Sequence, residues 1–196
     1  MEPAQMPEMR EVKRTDWDWA TNGRMGKRER RILTSIYLDP VDEEKTNLRL
    51  LKRWKIIQQE EVRYKEYFLD DAEYVIIGFG TAGRVALSAV RQAREKGIKV
   101  GLLRPITVSP FPAKAIEQLA GRVNGILVTE MNSGQMLEDV RLAVKGRVPV
   151  EFYGRMGGVV PLPDEILHEI ERITTSKLDV GSNPREEWYE RMVGMR

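Results

Sequence analysis

The chain has 196 residues, 41% hydrophobic and 32% charged, and its 32 basic and 30 acidic side chains leave a formal charge of +2. That composition supports one ordinary domain with extra segments and excludes a wholly disordered chain. It lacks the basic excess of a nucleic-acid coat, an apolar run near the ~18 residues of a membrane span, and the apolar N-terminal stretch of a secretory signal, so it reads as a soluble cytoplasmic protein.

Residues 1–41 mix Pro3, Pro7, Gly23 and Gly26 with dense charge and scattered apolar positions, and read as an extended arm rather than a domain. Trp17 and Trp19 lie within it, and large aromatics in a polar segment usually anchor it against another surface. Ile32–Leu38 has strand-like β-branched and aromatic content and stops at Asp39-Pro40. A linker helix is expected over 42–71, capped by Asp42 or Thr46, because Leu50, Leu51, Trp54, Ile57, Tyr64 and Phe68 fall roughly on one helical face.

From residue 72 the pattern changes. Tyr74–Phe79 is a short apolar run of the kind buried on both faces of a sheet, and Arg84–Lys96 follows as a helix with Gly97 as its C-cap. Ile98–Leu103, Gly125–Glu130 and Val148–Tyr153 read as further strands. Pro112–Ala120, Ser133–Val144 and Leu162–Ile173 read as helices, and Gly154–Gly158 as a glycine-rich turn. This alternation predicts an α/β fold, a three-layer αβα sandwich on a mostly parallel sheet, over residues 72–181. Residues 182–196 read as a polar, mobile tail.

Catalytic raw material is scarce. The chain has no cysteine and one histidine, His168, which removes disulfides, thiolate metal sites and cysteine nucleophiles. His168 sits among Ile166, Leu167 and Ile170 and reads as a surface or satisfied helix residue. Gly78-Phe79-Gly80-Thr81-Ala82-Gly83 matches G-x-G-x-x-G between a strand and a helix, where such glycines can cradle a pyrophosphate. A dinucleotide site carries an acid about twenty residues on; here the next strand ends in Arg104-Pro105. The loop therefore reads as a packing turn, with an NADP-binding site built on Gly78, Gly80, Gly83 and Arg104 as the alternative. Glu130, Asn132, Ser133 and Gln135 follow a strand end, where Asn132 or Ser133 can cap the next helix and Glu130 can accept from loop amides. A single acid with no second acid or histidine nearby is a poor catalytic group. The basic positions Arg24, Lys27, Arg28, Arg30 and Arg31, interrupted by Glu29, read as a solvated or acid-paired strip rather than a nucleic-acid grip.

Four segments in order, GFGTAGR (78–84), GIKVGLLRPITVSPFP (97–112), ILVTEMNSGQMLEDVRLAV (126–144) and PVEFYGRMGG (149–158), resemble the α subunit of 2-oxoacid:ferredoxin oxidoreductases, the family of the 2-ketoisovalerate, 2-oxoglutarate and pyruvate enzymes. TDWDWATNGRMG (15–26) and RYKEYFLDDAEYVIIGFG (63–80) are similar to the connector before this domain, and MEPAQMPE (1–8) to an internal stretch of the subunit. The resemblance implies a transketolase C-terminal-like domain with a supporting, subunit-contacting role, in a chain that begins after a thiamine-pyrimidine domain. It implies that a separate β subunit holds the diphosphate through Gly-Asp-Gly, a motif that does not occur in this sequence. Thiamine diphosphate, magnesium, Fe–S clusters and coenzyme A are then implied for the complex, and no cofactor, catalytic residue or metal for this chain. Expected partners are the β subunit, ferredoxin-like and γ subunits, the thiamine-pyrimidine domain, and a second copy. Candidate structural or interface residues are Trp17, Trp19, Gly78, Gly80, Gly83, Arg104, Pro105, Glu130, Asn132 and Gln135. Both a natural split subunit and a truncated product fit the sequence.

Overall fold

The structure, a computed structural model, describes residues 6, 8, 9, 11, 23, 29 and 32–194. Trp17, Trp19 and the basic positions Arg24, Lys27, Arg28, Arg30 and Arg31 lie outside the described residues. The described chain divides between Ile56 and Ile57 into two compact units.

In the first unit, Ile32–Leu38 is not a strand; Ile32, Leu33, Ile36 and Leu38 are exposed, and the local order is a Thr34 hydroxyl donating to the Ile36 carbonyl at 3.3 Å. β-branched content favours a strand only where a ladder exists to join. Helix α1 spans Pro40–Glu60, and none of its residues is buried. Its cap is Asp39, not Asp42 or Thr46: Asp39 Oδ1 accepts from the Val41 and Asp42 amides at 2.9 and 3.1 Å, and Pro40 takes the first helical position, where no N–H is needed.

The expected helix over 42–71 stops at Glu60, and Tyr64 and Phe68 are not part of it. Tyr64–Tyr67 is strand β1. It joins β2 (Tyr74–Gly78), β3 (Val100–Pro105), β4 (Gly125–Glu130) and β5 (Val150–Gly154) in one sheet of order β1-β3-β2-β4-β5. β1 runs antiparallel to β3, from Tyr64 opposite Pro105 to Tyr67 opposite Leu102, and the other pairs are parallel. The β-prone tyrosines of 64–67 suit an edge position better than another helical turn. Phe68 ends the strand at φ 55°. Arg94 fixes that bend by donating to the Phe68 carbonyl at 3.0 Å and the Val100 carbonyl at 2.9 Å, by pairing with Asp71, and by lying over the Phe68 ring. Its hydrogen bond holds the Asp71 carboxyl below the usual carboxylate range.

The parallel strands are apolar almost throughout because both faces are covered. α2 (Gly80–Glu95) packs with α5 (Pro163–Thr175), and α3 (Ala113–Leu119) with α4 (Gln135–Val144). The chain moves from β2 to β3, then back across β2 to β4 and on to β5. Right-handed crossovers in opposite directions put α2 on one face and α3 and α4 on the other. Ile76, Ile77, Leu102, Leu103, Ile126, Leu127 and Phe152 are fully buried between the layers.

The expected polar tail over 182–196 is, as far as Gly194, not free. Pro184–Gly194 is helix α6, with Trp188 only 4% exposed. The Trp188 indole meets Phe152 edge-on at 5.1 Å, and its Nε1 donates to the Gly154 carbonyl at 3.1 Å. Arg191 joins α6 to a buried charge cluster in which Arg172 reaches Glu151 at 2.6 Å and Glu169 at 2.9 Å. Burial opposes the Arg172 charge, but the two carboxylates outweigh it and hold the guanidinium above its ordinary value.

Candidate functional site at the carboxyl edge of the sheet

Reversal of chain direction between β3 and β4 makes a topological switch point where β2 and β4 end side by side, with Gly78 opposite Thr129. In open α/β sheets ligands enter there, outside the carboxyl ends of the strands. The loops after β2, β3, β4 and β5 therefore form the place to look for function.

The glycine loop is filled by its own backbone. Gly80 opens α2, and Gly83 lies within that helix rather than before it. A Cβ on Gly83 would stand 2.3 Å from the Gly78 carbonyl oxygen and 3.2 Å from Cγ of Arg104. Helix and strand thus approach at a distance only glycine permits. Arg104 stands at the end of β3, part-buried, with its Nε enclosed and without a hydrogen-bond partner. Pro105 is buried and completes β3 opposite Tyr64.

Beyond β4 the polar groups turn inward. Glu130 is fully buried; one of its oxygens accepts from the Leu137 amide at 3.0 Å, and the other from the Met136 amide at 2.9 Å and from Asn132 Nδ2 at 3.0 Å. Asn132 Oδ1 in turn accepts from the Gly134 and Gln135 amides at 2.7 and 3.0 Å. Together these two side chains bind the free N–H groups at the start of α4, with Gly134 at φ 100° as its N-cap. Asn132, not Ser133, supplies the turn's acceptor, and the Gln135 side chain is exposed.

After β5, Arg155 pairs with Glu165, while its amide donates to the Glu130 carbonyl at 3.1 Å. Tyr153, Arg155, Glu165, Glu169 and the exposed His168 line a cleft of about 320 Å³. Burial, reinforced by the Glu165 carboxylate, pushes the Tyr153 phenol well above its ordinary pKa. Arg155, Glu165, Arg185, Trp188 and Arg191 were not singled out by sequence reasoning. Asn183-Pro184 followed by Glu186 and Glu187 is the helix-start signal that marks α6.

No group of three or more histidine, aspartate or glutamate side chains placed to hold a metal occurs among the described residues. The edge does not fit a metal–diphosphate group, since its buried acid, Glu130, has both oxygens engaged by backbone and amide donors. No helix among the described residues is long and apolar enough to cross a membrane.

Residues 72–166 match the family described as pyruvate:ferredoxin oxidoreductase core domain II. The chain is 42% identical over 180 residues to ketoisovalerate oxidoreductase subunit VorB of Methanothermobacter thermautotrophicus, covering 91% of this chain and 50% of that one. It is 38% identical over 101 residues to 2-oxoglutarate synthase subunit KorA of Methanothermobacter marburgensis, covering 52% of this chain and 27% of that one. The chain thus spans about half the length of the first of these curated relatives. Among solved structures, a 2-oxoglutarate:ferredoxin oxidoreductase from Magnetococcus marinus, with 2-oxoglutarate, coenzyme A and succinyl-CoA bound, superposes with a TM-score of 0.58 at 17% identity. That match covers 69% of this chain and 24% of the other, and shows a shared fold.

Proposed function

The chain belongs to the 2-oxoacid:ferredoxin oxidoreductase family, and from that premise we propose that it is the supporting, subunit-contacting part of the enzyme's α subunit. The parent complex would decarboxylate a 2-oxoacid on thiamine diphosphate, reduce ferredoxin, and release the acyl group as its coenzyme A ester. This chain would hold the complex together and contribute no group to the reacting atoms.

One observation carries the reading: at the carboxyl edge the strand-end acid and its asparagine are turned inward, while a set of apolar side chains is exposed. Glu130 and Asn132 are consumed by the start of α4. Ile106 and Val108 after β3, Met131 after β4, and Met156 and Val159 after β5 are all exposed. Exposed apolar side chains gathered on one edge are what a protein interface requires.

The test is reconstitution. The purified chain alone should give no oxoacid-dependent reduction of a viologen dye, and Val108→Asp with Val159→Asp should leave its circular dichroism unchanged while weakening its assembly with the partner subunits. Turnover by the chain alone, or saturable micromolar NADPH binding, would overturn the reading.

A further inference from the structure

Strands β1 and β3 bring two cations to one place. In their antiparallel register Lys65 stands directly opposite Arg104, so the two side chains leave the same face of the sheet as neighbours. Like charges set opposite each other work against strand pairing. Neither has an ion-pair partner among the described residues, and the Arg104 Nε is enclosed without a hydrogen bond. Glu66, the adjacent acid, leaves the opposite face beside Leu103. Because Ile77 pairs with Leu103 and Gly78 with Thr129, Arg104, Gly78 and Thr129 form one row on the Lys65 face. Thr129 is fully buried in that row, and its hydroxyl also lacks a partner. The start of α2 lies against the row: Cγ of Arg104 is 3.2 Å from where a Gly83 Cβ would stand. The first turn of α2 carries no acid, and Phe79 at its N-cap makes no side-chain hydrogen bond. The first helical bond runs from the Gly83 amide to the Phe79 carbonyl at 3.0 Å, so the Gly80, Thr81 and Ala82 amides stand outside the ladder.

We propose that Lys65, Arg104 and the opening turn of α2 form a binding site for a single oxyanion, a phosphate or a carboxylate. Arg104 supplies a planar fork that matches two oxygens of such a group, and Lys65 a point charge. The α2 terminus adds free N–H donors and partial positive charge. An anion between the two cations turns a repulsive cross-strand pair into an attractive one. The ligand is one anionic group and not a dinucleotide. Contact between Gly78 and Gly83 leaves no cradle for a pyrophosphate inside the glycine loop, so the anion lies outside the loop, beside the guanidinium. This goes beyond the supporting role proposed above and stands independently of it.

The probe is inorganic phosphate, titrated into the full chain at low ionic strength and followed by amide chemical shifts. It carries no nucleoside, so the result is separate from the NADPH test above. The Gly80 and Thr81 amides should shift and saturate. Arg104→Met should weaken binding about tenfold or more, the loss expected of one charge-assisted hydrogen bond. Arg104→Lys, which keeps the charge without the fork, should weaken it less. Circular dichroism reports whether each variant is folded, and Lys65→Met, which removes an exposed side chain, decides the matter if Arg104→Met unfolds. Repeating the titration with the partner subunits present identifies the source of the anion. Phosphate displaced by assembly supports the site with a partner's carboxylate as its occupant, and phosphate retained supports it with a small oxyanion. No saturable shift at Gly80 and Thr81 overturns the inference, as does a phosphate response that Lys65→Met and Arg104→Met leave unchanged.

Discussion

At the scale of single residues, the glycine loop separates two uses of glycine. Gly83 is needed for space: its missing Cβ would overlap the Gly78 carbonyl. Gly80 is needed for backbone conformation, at φ +54° with nothing within 4 Å of a Cβ. Gly83→Val should therefore lower stability by about 3 kcal/mol through overpacking, whereas Gly80→Ala should cost no more than about 1–2 kcal/mol for a left-handed residue. Urea melts of the two variants check the order, and equal losses would show that the loop is not a close contact. Tyr153 makes a different prediction. Its phenol would ionise near pH 10 in the unfolded chain, but in the fold burial and Glu165 raise its pKa. The folded state then keeps a proton that the unfolded state has lost, so this contribution is complete below about pH 10 and declines as pH rises further. Tyr153→Phe should flatten the fall of stability above that pH, as measured by denaturant titration at successive alkaline pH values.

At the scale of elements, Glu130 shows how one side chain starts a helix. Replacing it with glutamine sets an NH₂ group against the Met136 or Leu137 amide, two donors facing each other in a buried site. Glu130→Gln should cost about 2 kcal/mol and speed hydrogen exchange at those two amides; an unchanged exchange pattern would mean that α4 does not depend on this cap. The elements also show what the sequence made legible. β2 to β5 were readable because strands buried on both faces appear as unbroken apolar runs such as Val75-Ile76-Ile77 and Ile126-Leu127-Val128. β1 was not, because Tyr64 and Phe68 continue the spacing of Leu50, Trp54 and Ile57, and its strand character comes from pairing with β3, a contact remote in sequence. α6 was missed for the opposite reason. Its apolar stripe is short, only Pro184, Trp188 and Met192 within a charged segment, and Arg185 and Arg191 dock beside it by hydrogen bonds to loop and strand carbonyls. At the candidate site the positions of Gly83, Glu130 and Asn132 were legible, but not that all three turn inward, which depends on how closely neighbouring loops approach.

At the scale of the whole molecule, every buried hydrophobic residue among those described lies at Leu69 or later. Among the described residues the buried core is therefore built by the sheet, its covering helices and the turns between them. α1 carries Leu48, Leu50, Leu51 and Ile56 exposed, and an apolar helix side without a cover gains only when another surface buries it. The arm before it contributes Trp17 and Trp19, residues of the type that anchors protein interfaces. Deleting residues 1–31 should thus leave far-ultraviolet circular dichroism and the melting midpoint of the sheet unchanged, while weakening assembly with partner subunits or with a second copy. Sedimentation of the deleted and intact chains, alone and with those subunits, reads the second effect separately from the first. If the deletion unfolds the sheet while assembly is unaltered up to that point, the arm belongs to the core and the boundary between arm and domain must move toward the N-terminus.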